Sequence, residues 1–369
     1  MNLRGDENAA AGRGLPVTTA PPGLRPGAVI GVAATSAWAA GRFPGRTRRS
    51  VAALEEALNH PVRLAPESRY AGSIAGTGRE RARALLDLYA DPEVGAVFTT
   101  IGGNNSNDLL EHLDELAGLP PKILIGYSDN TALLLGCQAL TGTTVFYGPA
   151  LLPQFGEWPR PYPETVEHLR HTLTAGTGGV WPLPDWWTQP YGDWAAADEQ
   201  ERPRHPGSAY VLRPGSADGV LFGGNIPTLG FLAGTRWLRP PAGPTVLCLE
   251  GTEDGAGIAA FQRSLTQLRH LGIAERAVAV LVGRTPGGPF GAEHTEALHR
   301  ILLDAFPGDV PIVMDLPFGH TDPMLTVPLG AAARVEAHGE RPVIRVPGPT
   351  VAPAAEPTST HGKEAPCRS

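Results

Sequence analysis

Lysine is almost absent from this chain. It occurs only at Lys122 and Lys363, so arginine supplies 28 of the 30 basic residues. A Schiff-base enzyme needs a lysine in its site, and a Walker-type phosphate loop ends in Gly-Lys-Ser/Thr. Lys363 lies in a Pro-, Ala- and Thr-rich stretch, and Lys122 follows two prolines at the head of an apolar run. Neither is placed for such chemistry. Cysteine is scarce too: Cys137, Cys248 and Cys367 are scattered, and two of them sit in apolar runs. They read as buried thiols of a reducing compartment, with neither a disulfide framework nor metal spacing. No apolar run approaches the roughly 18 residues of a membrane span. The first residues lack the apolar core of a signal peptide. A formal charge of −7 excludes the basic stripe that nucleic acid or an anionic membrane would need. A soluble cytoplasmic protein without metal or cofactor is expected.

The chain is long enough for two domains, and 42% hydrophobic residues can fill their cores. Residues 1–26 and 347–369 are rich in Pro, Ala, Gly and Thr and are expected as disordered tails. Between them strands and helices alternate. Strands are expected at 28–34, 94–101 and 123–125, and helices at 47–58, 80–89, 107–116 and 131–140. That order implies a parallel, flavodoxin- or Rossmann-like sheet over 27–165, covered on both faces, with ligands beyond the carboxyl ends of its strands. A Pro- and Trp-rich stretch follows, with Trp158, Trp181, Trp186, Trp187 and Trp194. Residues 166–218 are read as an interdomain linker. A second, smaller α/β domain is expected over 219–346, with strands at 245–250, 277–282 and 312–315 and helices at 257–271 and 295–305.

Three polar residues stand at strand ends. Ser106 follows the strand ending at Ile101 and opens an apolar helical pattern. Glu250 closes the run Thr245–Leu249, and His320 follows Ile312–Gly319. A serine, a carboxylate and a histidine are the parts of a nucleophile, an orienting acid and a general base. Each also has a structural reading: an N-cap for Ser106, a helix cap for Glu250, a turn residue for His320. The spacing Gly-Gly-x-x-Ser differs from the Gly-x-Ser-x-Gly elbow of α/β-hydrolases.

Six blocks together carry a resemblance: FTTIGGNNSNDLLEHLD (98–114), PKILIGYSDNTALL (121–134), TVFYGPALLPQFGE (144–157), GVLFGGNIPTL (219–229), VLCLEGTED (246–254) and LPFGHTDPMLTVPLGA (316–331). In this order they resemble the serine peptidase family of LD-carboxypeptidases and microcin C immunity proteins. The resemblance implies a Ser106, His320, Glu250 triad acting through an acyl-enzyme, and a homodimer. It places the oxyanion hole at the amides of Asn107 and Gly76. Tyr127, Ser128 and Asp129 would shape the pocket floor near Asn105, with Asp129 also a candidate cap for the helix at Thr131.

The block Ile-Gly-Gly-Asn-Asn-Ser replaces the Arg-Gly-Gly-Tyr-Gly-Ser usual in the LD-carboxypeptidases, and so looks like the microcin-immunity branch. That branch implies an aminoacyl or peptidyl amide on a nucleotide-like group, and an aromatic linker residue stacked on the base. Trp187 and Trp194 are the candidates, and pinning of the linker is their structural alternative. Some relatives aim a lysine at the nucleotide phosphate from just past the glutamate. Here that run is Gly251-Thr252-Glu253-Asp254, so an uncharged or cationic amide is expected instead. Self-immunity or muropeptide recycling would be the setting. Acyl transfer by the same triad in natural-product biosynthesis, or a non-catalytic binder on the same scaffold, are the other readings.

Overall fold

Strand Val29–Ala33 (VIGVA) is apolar throughout and buried along almost its whole length, as a strand covered on both faces must be. The computed structural model describes residues 18–37, 39–66, 75–174, 178–189, 193–251, 257–286 and 292–354. Among these, the strands form two large sheets and a short ribbon. In the first sheet Val29–Ala33 lies between Val62–Leu64 and Val94–Thr99, followed by Ile123–Gly126 and Val145–Tyr147, all parallel. Its far edge is Val327–Leu329, antiparallel to Val145–Tyr147. A segment from late in the chain therefore completes the early sheet.

Helix Pro44–Leu58 starts with proline in its first turn, where a missing N–H costs nothing. Helix Gly78–Ala90 starts on a reciprocal capping box between Thr77 and Glu80. Helix Thr131–Thr141 is buried on nearly every side, because both sheets and the helix Ile226–Phe231 surround it. The helix expected at 107–116 is instead two 3-10 segments, Ser106–His112 and Asp114–Gly118. Leu109, Leu110, Leu113 and Leu116 are all fully buried, so the apolar spacing was real while the winding differs. The side chain of Leu110 fills the space beside Gly136, where an added Cβ would lie 2.4 Å away.

The second sheet has Gly215–Asn225, Thr245–Glu250, Ala277–Gly283 and Ile312–Leu316 as parallel neighbours. Ala332–Ala337 and Val343–Val346 extend it antiparallel on one side. Both edges come from the stretch read as a linker: Gly179–Val180 pairs with Val343–Val346, and Tyr210–Arg213 with Ile312–Leu316. The boundaries expected at 165/166 and 218/219 fall inside helix Pro163–Leu173 and strand Gly215–Asn225. Backbone groups of a buried crossover must be paired, and sheet edges supply the partners.

The tails also need correcting where they are described. Thr19 bridges to Thr143, Pro22 to Ala352, and Val351 is fully buried in the core that contains Ile30 and Leu54. Residues 18–26 and 347–354 are thus packed against the body. Cys137 and Cys248 are buried free thiols whose pKa values burial pushes up, leaving them inert. Cys367 and Lys363 lie outside the described residues. No helix among the described residues is long and apolar enough to cross a membrane.

Candidate active site

Three strand ends converge where the two sheets meet. Ser128 lies two residues past strand Ile123–Gly126 and leads through a single 3-10 turn, Ser128–Asn130, into helix Thr131–Thr141. Its φ of 62° is left-handed, a conformation that costs a serine about 1–3 kcal/mol. This strained strand–turn–helix bend presents a side chain at the top of a sheet, as nucleophile elbows do. Glu250 is the last residue of Thr245–Glu250, and His320 lies four residues past Ile312–Leu316.

His320 Nδ1 is 2.7 Å from Glu250 Oε2, and its Nε2 is 2.9 Å from Ser128 Oγ. Facing a carboxylate, Nδ1 carries the proton, which leaves Nε2 as the acceptor for the serine hydroxyl. Glu250 is fully buried, and its second oxygen accepts from Tyr147 Oη at 2.6 Å and Asn225 Nδ2 at 2.8 Å. Such donors offset the cost of burying the carboxylate. Glycines make the approach possible. A Cβ on Gly319 (φ 99°) would lie 2.8 Å from Glu250 Oε2, and one on Gly283 would lie 2.9 Å from Glu250 Cβ. The Tyr127 ring packs edge-on against the imidazole, 5.2 Å between centroids.

The structure thus joins Glu250 to His320 as the sequence suggested, but the hydroxyl at the other end of the imidazole is that of Ser128. Ser106 is placed differently. It is fully buried, its hydroxyl donates to the Asp129 carbonyl at 2.5 Å, and its amide donates to Asp129 Oδ2 at 2.7 Å. Its proton is engaged with backbone, so Ser106 braces the residue that follows Ser128. Asp129 also departs from expectation. It does not cap the Thr131 helix, because its carboxylate is taken by the Ser106 amide and by Ser36 Oγ at 2.7 Å. Asn130 is the residue at the cap position, held by Thr35 Oγ1 and by the Ile101 carbonyl.

Asn107 is exposed one residue beyond Ser106, and the Gly76 carbonyl accepts from Arg81 Nε. Arg81 is itself buried and donates to the carbonyls of Thr35 and Asn105, which ties Asn105 to this brace. Burial lowers the Arg81 pKa, and Asp108 and Asp129 oppose that shift. The Gly102 backbone passes close to Ser128. A Cβ on Gly102 would sit 2.8 Å from Ser128 Cβ and 3.6 Å from the Asp129 amide nitrogen. Only glycine allows so close an approach.

The two tryptophans divide. Trp187 lies on the ribbon formed by Trp186–Thr188 and Arg204–Pro206, its ring 4.8 Å from His205 and 5.2 Å from the Arg284 guanidinium. Thr188 on this ribbon exchanges backbone hydrogen bonds with Asp322, two residues past His320. Trp194 instead lies under the Arg46 guanidinium at 4.1 Å and against Phe43, which pins the crossover to helix Pro44–Leu58. Thr252, Glu253 and Asp254 lie outside the described residues. Sequence reasoning missed Tyr147 and Asn225. Their signal was position: each stands at the end of a strand whose neighbour carries Ser128 or Glu250.

A serine hydroxyl, an imidazole and a buried carboxylate in series, at the strand ends of an α/β fold, define a serine hydrolase of the peptidase kind. The sequence profile of the LD-carboxypeptidase N-terminal domain matches residues 30–148, and that of the C-terminal domain matches residues 218–335. The chain belongs to the LD-carboxypeptidase family of serine peptidases. A Vibrio cholerae protein named as a carboxypeptidase is 36% identical over 267 residues, covering 71% of this chain and 78% of that one. The microcin C7 self-immunity protein MccF of Escherichia coli is 32% identical over 268 residues, covering 71% and 77%. A solved structure of MccF in complex with aspartyl sulfamoyl adenosine superposes with a TM-score of 0.81 at 29% identity, covering 90% of this chain and all of that one.

Proposed function

We propose that this chain hydrolyses a terminal amide of a small peptide or aminoacyl conjugate through an acyl-enzyme on Ser128. The observation that carries the reading is the series Glu250 Oε2, His320 Nδ1, His320 Nε2, Ser128 Oγ, with links of 2.7 and 2.9 Å. His320 Nε2 takes the hydroxyl proton as Ser128 Oγ attacks the carbonyl carbon, and Glu250 holds and charge-stabilises the imidazolium. The oxyanion would be met by the Asp129 amide and an amide of the Gly102–Gly103 turn. That assignment replaces Asn107 and Gly76, because an oxyanion hole must travel with its nucleophile. The tetrahedral intermediate then collapses, His320 gives its proton to the leaving amine, and water enters to release the acid.

The substrate class rests on the relatives. One MccF structure holds aspartyl sulfamoyl adenosine and another holds glutamyl sulfamoyl guanosine. A Bacillus subtilis relative, 27% identical over 279 residues, is named as a murein peptide carboxypeptidase. Self-protection against a peptide-like toxin, or murein turnover, is the setting we propose. Turnover of an aminoacyl sulfamoyl nucleoside and of a murein tetrapeptide by wild type and Ser128→Ala tests it. Loss of either activity in the variant supports the reading, and an unchanged rate in Ser128→Ala overturns it.

A further inference from the structure

Tyr147 ends the strand beside the one that carries Ser128, and its side chain is almost fully buried. Its hydroxyl oxygen accepts the Ser128 amide N–H at 2.9 Å and lies 2.6 Å from Glu250 Oε1. A phenol has one proton. An amide can only donate, so the phenol proton has to point at the carboxylate. Two ends of the triad are thereby joined a second time, through a route that does not include the imidazole.

We infer that Tyr147 is a positioning residue of the reaction: its hydroxyl fixes which Glu250 oxygen faces His320 and holds the strained backbone of Ser128. The carboxylate has two oxygens and could rotate to offer either. Tyr147 and Asn225 Nδ2 together occupy Oε1, which leaves Oε2 for the imidazole N–H. The same hydroxyl accepts the amide N–H of the left-handed Ser128. Burial, and then the Glu250 charge, push the Tyr147 pKa well above the usual phenol value, so the proton stays in place. The geometry around it is consistent. Thr131 Oγ1 donates to the Ser128 carbonyl at 2.7 Å and accepts the Asn225 amide at 3.0 Å, so the residue on each side of the triad is tied to the other sheet.

The inference rests on Ser128 being the nucleophile, and one set of variants separates the two claims. In Tyr147→Phe we expect kcat to fall by about 10- to 100-fold with KM within twofold, because the interaction matters only as the imidazolium forms. Labelling of Ser128 by a fluorophosphonate should slow by the same factor, with circular dichroism unchanged. In a Glu250→Ala background the same change should cost less than about threefold, since only the Ser128 amide is left for the hydroxyl to hold. A ring that merely filled space would give no loss, since phenylalanine keeps the ring, and equal losses in both backgrounds would mean that the hydroxyl acts without Glu250; either result overturns the role. Should Tyr147→Phe not fold, 3-fluorotyrosine at 147 keeps the hydroxyl and acidifies it. A change in kcat of about threefold or more with KM held supports the role, and an unchanged kcat overturns it. Wild-type kcat in folded Tyr147→Phe, with Ser128→Ala inactive, overturns the Tyr147 inference alone. Activity in Ser128→Ala overturns the nucleophile itself.

Discussion

Ser106 gives its hydroxyl proton to the Asp129 carbonyl, 2.5 Å away, and its amide proton to the Asp129 carboxylate at 2.7 Å. Both links end on the residue directly after Ser128. A serine committed in this way supports the elbow from behind, and the hydroxyl left for chemistry is the one at His320 Nε2.

The two serines should therefore separate in kinetics. Ser128→Ala should lower kcat by about a thousandfold or more, as loss of a nucleophile does. Ser106→Ala removes one buried hydrogen bond, worth about 1 kcal/mol of stability, and should lower kcat by less than about tenfold. Steady-state rates and thermal midpoints of both variants check this. A Ser106→Ala variant as inactive as Ser128→Ala would contradict it.

Why the sequence pointed at Ser106 has a physical answer. Alternating strands and helices were legible, because buried parallel strands read as unbroken apolar runs; Thr245–Glu250 was read to the residue. So were the strand-end places of Glu250 and His320, since each ends or follows such a run. Ser128 also follows one, but its turn, Gly-Tyr-Ser-Asp-Asn, lacks the last glycine of the elbow pattern. Its defining property is a φ of 62°, and the turn around it is held by Tyr147, Ser106 and Ile101, far along the chain, as well as by Thr131 nearby. The edges of the second sheet were illegible for a similar reason. Gly179–Val180 and Tyr210–Arg213 are too short to show a period and become strands only through partners far along the chain.

Gly102 offers a test by bulk. An added methyl would lie 2.8 Å from Ser128 Cβ and 3.0 Å from its Oγ. Gly102→Ala should fold, yet lose about a hundredfold or more in kcat/KM, because the nucleophile and the proposed oxyanion amides are pushed apart. Fluorophosphonate labelling at the wild-type rate in this variant would show that the turn has no part in the site.

Trp194 and Trp187 should respond differently. The Arg46 guanidinium over Trp194 is worth about 0.5–2 kcal/mol, and Phe43 packs on the same ring. Trp194→Ala should lower the thermal midpoint while changing kcat/KM by less than about threefold. Trp187→Ala, on the ribbon bonded to the His320 turn, should raise KM for a nucleoside-bearing substrate with little thermal effect. Calorimetry and kinetics on both variants decide the division.

Arg202 holds two buried carboxylates, Glu157 and Asp322, the latter two residues past His320. Burial raises the Glu157 pKa even with Arg202 beside it. Such a group binds its proton more tightly folded than unfolded, so its contribution favours the fold as pH falls through the raised value towards the ordinary 4.5. Arg202→Met removes the cation that the two carboxylates share and should cost about 3–5 kcal/mol near neutral pH. The deficit should narrow as Glu157 takes up a proton in mild acid. Urea unfolding of wild type and variant at about pH 7.5 and pH 5 measures it, and a deficit that grows towards pH 5 would contradict the assignment.

The scarce lysine lets the reactive serine be identified directly. Lys122 lies between Ser106 and Ser128, so trypsin places the two serines on different peptides. The protein is labelled with a fluorophosphonate, digested, and the modified peptide identified by mass spectrometry. We expect the adduct on the peptide that begins at Ile123, at Ser128, and none in His320→Ala. An adduct at Ser106 would contradict it.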